Sequence, residues 1–169
     1  AWWLNPWTGI AALFVFLMFV LALPDNQSGS TQIADADLPP VIQYLSKEIS
    51  SLKSWQFDKK AKNPTELQAY LASAKVPTPS SIPQGLNTIP SIGCVTFDYG
   101  SGAKLSMICF KNDRVYHLIT ADKATYPDTI PNKPTLYQCK DKAFKLWVDE
   151  DQVKILSIHG SKEEMPEFI

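Results

Sequence analysis

The sequence predicts an α+β fold: a single N-terminal transmembrane helix followed by a domain of two helices packed on a five-stranded, mostly antiparallel sheet. Three observations predict it. Residues 2–23, "WWLNPWTGIAALFVFLMFVLAL", contain no Asp, Glu, Lys or Arg. Two later stretches carry apolar residues at spacings of three and four, and beyond Gly93 the pattern switches to short β-branched and aromatic runs separated by turn residues. The chain accordingly divides into a membrane anchor over 1–24, a flexible tether over 25–37 and an α+β domain over 38–169.

As a helix, residues 2–23 reach about 30 Å, enough to cross a bilayer. Trp2, Trp3 and Trp7 gather at the first end as interface anchors, Pro6 fits an early helical turn, and Pro24 with Asp25 stops the helix. The competing reading is a cleaved signal peptide. The lack of a basic leader and of a small-x-small site before Pro24, with the length of the apolar core, favours a retained anchor. Charge does not orient the span, because the first lysine after it is the distant Lys47.

Residues 25–37, "DNQSGSTQIADAD", are polar with little to bury, which makes them a tether. In "DLPPVIQYLSKEISSLKSW", Leu38, Val41, Ile42, Leu45, Ile49 and Leu52 fall on one helical face, with Asp37 placed to cap ahead of Pro39 and Pro40. "NPTELQAYLASA" predicts a shorter helix, with Asn63 as cap, Pro64 in the first turn, Glu66 three residues after the cap, and Leu67, Tyr70 and Leu71 inward. Both are expected on one face of the sheet. Four prolines make "VPTPSSIPQGLNTIPSIG" an irregular wrapping loop. Strands follow at 94–99, 104–111, 115–121, 144–148 and 153–158, joined in a meander by turns at 100–102, "KNDR" and "DEDQ". The longer "DKATYPDTIPNKPTLYQCKDK" reads as a surface excursion carrying Cys139.

All 16 basic and 17 acidic residues follow the span, so the remainder is nearly neutral. Nucleic acid is not an expected partner, since neutralising phosphates needs clustered positive charge and here one arginine, Arg114, stands among scattered lysines. No GxSxG, P-loop or Rossmann glycine pattern occurs, so the sequence argues neither for an enzyme nor for a cofactor or metal.

The hairpin "GCVTFDYGSGAKLSMICFK" poses one chemical question. A two-residue turn at Ser101 and Gly102 sets Cys94 opposite Cys109, as cross-strand neighbours about 5 Å apart at the α-carbons. Four readings compete: a Cys94–Cys109 disulfide, two buried reduced cysteines, a metal site completed by His117, and a reactive thiol. A one-residue slip would send the two cysteines to opposite faces. His117, between Val115 and Ile119, reads as a hydrogen-bonded core residue; His159, before Gly160, reads as a turn residue.

"LPPVIQYLSKEI", "IPSIGCVTFDYGSGAKLSMICFK", "VYHLIT" and "AFKLWVDEDQVKILSIHG" together resemble bacterial membrane-anchored anti-sigma factors, over residues 2–159. By motif match, Cys94, Cys109, Phe110, His117 and Leu118 occupy the family's characteristic positions. The resemblance implies a bacterial cytoplasmic (inner) membrane protein whose domain lies on the extracytoplasmic or periplasmic side. Its expected partners are the lipid bilayer and other membrane or extracytoplasmic proteins. In that family a sigma-binding segment precedes the span, whereas this chain opens at Ala1 almost at the membrane; a sigma factor would be reached only through a segment absent from this chain. The sequence therefore leads to an extracytoplasmic sensing or binding domain, with an accessory subunit of a larger membrane complex as the alternative.

Overall fold

The computed structural model describes residues 38–167. Helix α1 (Pro40–Ser51) and helix α2 (Pro64–Ser73) precede six strands: β1 (Ser91–Tyr99), β2 (Ala103–Lys111), β3 (Val115–Asp122), β4 (Thr135–Cys139), β5 (Lys142–Asp149) and β6 (Gln152–His159). They form one antiparallel sheet in the order β1-β2-β3-β6-β5-β4. Two three-stranded meanders thus meet at the β3–β6 seam, and both sheet edges belong to the first strand of a meander.

The expected fold needs three corrections. The sheet has six strands, not five: residues 135–139, read as part of a surface excursion, form the edge strand β4 beside β5. The helices lie on opposite faces. Val41, Ile42, Leu45 and Ile49 of α1 pack with Leu105, Met107, Ile119, Phe144 and Ile155, whereas Leu67 and Leu71 of α2 pack with Ile108, Phe110, Leu118, Leu156 and Ile158. Strands buried on both sides need apolar residues at successive positions, which explains why "LSMICF" of β2 is buried throughout. Finally, no helix among the described residues is long and apolar enough to cross a membrane. The expected span over 1–24, with Trp2, Trp3 and Trp7, and the tether lie outside the described residues.

The helix boundaries follow local chemistry. Asn63 caps α2, its Oδ1 accepting from Thr65 N at 2.9 Å, with Pro64 at the first helical position. In contrast, α1 begins after Pro39, which offers no capping side chain. Full burial of an apolar side chain contributes about 1.5–3 kcal/mol, so the four core residues of α1 hold the helix down without a local cap.

Two extended segments finish the sheet. Residues 58–62 run along the outer edge of β1: Asp58 N donates to Cys94 O and Cys94 N to Lys59 O, both at 2.9 Å, and Ser91 N donates to Lys62 O at 3.1 Å. The edge is closed to further pairing there. Their approach is close enough that a Cβ on Gly93 would sit 2.6 Å from the Phe57 ring and 2.9 Å from Lys59 O. On the α2 face the proline-rich segment 76–83 is clipped by buried polar groups. Ser106 Oγ donates to Pro77 O, Gln152 Nε2 donates to Thr78 O at 2.7 Å, and Lys154, 1% exposed, donates to Ser81 O and Oγ and to Asp149 Oδ2.

Candidate functional site

The connection from β3 to β4 has to pass β6 and β5 to reach the sheet edge, and on the way it meets the beginning of α1. Asp128 Oδ2 accepts a hydrogen bond from Val41 N at 3.1 Å across 87 residues of sequence. A distant carboxylate thereby serves the helix N–H that Pro39 leaves uncapped. The same oxygen accepts from the Tyr99 hydroxyl at 2.5 Å. Burial, and behind it the hydrogen bond to Asp128, pushes the Tyr99 phenol up, so it stays a donor at neutral pH.

Tyr99 is held from its other side by Tyr44, whose ring lies 5.1 Å away centroid to centroid and whose hydroxyl donates to Asp98 O at 3.1 Å. Tyr126 is buried, and its hydroxyl has no hydrogen-bond partner among the described residues. Its phenol is pushed up by burial first and then by the charge of Asp128.

Outside these side chains lies an open groove of about 520 Å³. Its walls are Pro39, Pro40, Pro127 and Pro131, with Leu38 and Tyr137; Asp128 and Thr129 supply polar groups. Proline rings have few conformations to lose, so the walls are set before anything enters. With Oδ2 engaged from within, the remaining oxygen of Asp128 is available to a donor. The arrangement offers recognition by shape and charge.

The residues singled out by sequence lie elsewhere. The β1–β2 turn has three residues, Gly100 to Gly102, with Tyr99 opposite Ala103. Gly100 and Gly102 take φ of +60° and +108°, conformations that L side chains rarely adopt. The register is therefore one residue from that expected: Cys94 faces Ile108 and Cys109 faces Gly93. Cys94 joins the α2-side core and Cys109 the α1-side core, and Cys94, Cys109 and Cys139 are all free and buried.

Burial, with Asp58 as the next cause, pushes the Cys94 thiol up to about 11. Burial likewise pushes up Cys109, whose Sγ is 3.2 Å from His117 Nδ1. His117 is lowered to about 4, by burial first and then by His159 and Lys142. Thiol and imidazole are thus both neutral at pH 7, the reverse of an activated thiolate–imidazolium pair. Among the described residues no group of three or more His, Cys, Asp and Glu is placed to hold a metal ion. His159 pairs at the surface with Asp141, Nδ1 to Oδ2 at 3.2 Å, and Asp141 also accepts from the buried Lys142 at 2.9 Å.

Sequence reasoning passed over Asp128, Tyr99, Tyr126 and Tyr137. The available signal was "YPDTIPNKP", prolines spaced around one acid and ahead of a short apolar run, which marks a rigid connection rather than an idle loop. Comparison with family models, with curated proteins and with solved structures gives no match to this chain.

Proposed function

We propose that this chain is a non-enzymatic binding domain, tethered to a membrane by the uncharged segment ahead of it, that engages another protein through the groove around Asp128. The observation that carries the reading is a contrast in accessibility. The thiols and His117 are sealed in the two cores, while the carboxylate of Asp128 is fixed by two hydrogen bonds in an open concavity. Reactive groups need access and a pKa shifted toward activation, whereas Cys94, Cys109 and His117 are buried and shifted the opposite way; a preset apolar groove with one oriented polar group suits recognition. The tether and the extracytoplasmic side rest on the sequence of residues 2–23 and on the resemblance to the sensory part of anti-sigma factors.

A photo-crosslinking amino acid at Thr129 of the full chain, in the membranes of cells that make it, tests the groove. One discrete adduct is expected at Thr129 and none at the exposed control position Lys123; the same pattern at both positions, or no adduct at Thr129, would refute the reading. Alkaline washing tests the tether, since release of the full chain from the membrane fraction is incompatible with it. A second reading, an accessory subunit of a larger membrane assembly, is favoured by Trp55, which is 76% exposed at the end of the segment that follows α1. Stoichiometric co-purification with one complex after mild detergent extraction would establish that reading.

A further inference from the structure

Asp128 brings a negative charge into a groove whose walls are otherwise apolar or neutral. Among the described residues no lysine, arginine or histidine makes an ion pair with it, and no donor reaches its Oδ1. The charge is held rather than free to turn away: Val41 N and the Tyr99 hydroxyl fix Oδ2, which leaves Oδ1 as the acceptor for an incoming group. Prolines and Leu38 form walls suited to a methylene stem, and the Tyr137 ring presents an aromatic surface. Lysine and arginine have that two-part character, an apolar stem that packs and a cationic head that pairs.

We propose that the groove takes a lysine or arginine side chain carried on an extended segment of a partner protein. This rests on the reading of the groove as a protein-binding site and names the chemistry it selects. Charge complementarity separates this occupant from the chain's own preceding stretch. Residues 25–37 contain Asp25, Asp35 and Asp37 and no basic residue, so they carry the wrong sign for Asp128. The groove of about 520 Å³ holds more than one side chain, so the residues beside the cation contribute contact as well. The rigid proline walls keep the ordering cost of such an encounter low.

The experiment titrates the full chain, by fluorescence anisotropy, with labelled heptapeptides Ala-Pro-Ala-Xaa-Ala-Pro-Ala in which Xaa is lysine, norleucine or glutamate. The lysine peptide is expected to bind about tenfold tighter than the norleucine peptide, and the preference should shrink as salt is raised. Asp128→Asn retains an oxygen that can accept from Val41 N and Tyr99 while removing the charge. It should abolish the preference while lowering the urea midpoint only slightly, the charge at the start of α1 being lost and the hydrogen bonds kept. Equal binding of the lysine and norleucine peptides, or a preference that survives Asp128→Asn, overturns the proposal. If all three peptides bind alike and Tyr137→Ala weakens all three, the charge inference fails while the protein-binding reading stands. If none binds, the inference fails, and the adduct at Thr129 judges the broader reading separately.

Discussion

Acidification from pH 7 to pH 5 should destabilise the domain through one residue, His117. Its folded pKa is about 4 against an ordinary 6.5, because a charged imidazole in this core loses hydration and faces Lys142 and His159. The unfolded chain therefore binds a proton that the folded chain refuses. Stability from this site is complete above 6.5 and is lost as pH falls toward 4, by about 2 kcal/mol at pH 5 and about 3 kcal/mol at pH 4. Asp141, Asp149, Glu163 and Glu164 are held below their ordinary values by hydrogen bonds and neighbouring cations, so their contribution persists down to the ordinary carboxylate range and adds to the loss at pH 4, which leaves pH 7 to pH 5 as the diagnostic interval. Urea melts of the full chain by far-UV circular dichroism at pH 7, 6, 5 and 4 measure the loss, and His117→Gln, which keeps a polar group beside the Cys109 thiol without a titrating ring, supplies the reference. The variant should be less pH-dependent by about 2 kcal/mol between pH 7 and pH 5. A wild-type midpoint that is flat over this interval, or equal slopes in the two proteins, would refute the reasoning.

Two other perturbations probe the segments that close the sheet. Gly93→Ala places a methyl group 2.6 Å from the Phe57 ring and 2.9 Å from a backbone carbonyl; it should cost about 1–3 kcal/mol in urea melts, and an unchanged midpoint would show that residues 57–59 do not press on β1. Asp149→Ala leaves the ammonium of Lys154, 1% exposed, with only Ser81 as partner. The loss should be about 3 kcal/mol, with new proteolytic cleavage in 76–83, and cleavage confined to other loops would refute the clip.

How far the fold could be read from sequence depended on whether its signals were local. Strands β1, β2, β3, β5 and β6 coincide with the β-branched and aromatic runs, because each buries side chains on both faces and leaves a dense apolar signature. The cap at Asn63 and the stripe of α1 were legible for the same reason. β4 was not: it has five residues at a sheet edge, with Leu136 42% exposed, so little burial was written into its composition. The register of the first hairpin turned on whether Gly100 belonged to the strand or to the turn, a choice that two nearby glycines leave open in sequence. That one residue decided the disulfide question, because it set Cys109 opposite Gly93 rather than Cys94, while the register of the second hairpin independently sets Cys109 beside His117. The groove was illegible for a different reason. Its parts come from residues 38–40, Tyr99, 127–131 and Tyr137, and only the strand order brings them together.

The strand order also explains why the groove sits where it does. Had β4 followed β3 as its neighbour, a turn of a few residues would have sufficed, and Asp128 would not exist in its present setting. Because β6 takes the place beside β3, the chain must cross two strands to reach the edge. Tyr126 and Ile130 pack into the α1-side core on that route, which fixes the connection over the end of α1. That end is where an uncapped helix presents unsatisfied N–H groups, and a carboxylate is the side chain that answers them. A proline at the N-cap of α1 removes the local solution, so the acceptor arrives from the crossing segment. A structural need of the helix thus places a charged group at the surface, and the prolines that stiffen both segments leave it framed rather than covered. Recognition at this site is therefore coupled to the anchoring of α1, because the carboxylate that would pair with an occupant is the one that accepts from Val41 N.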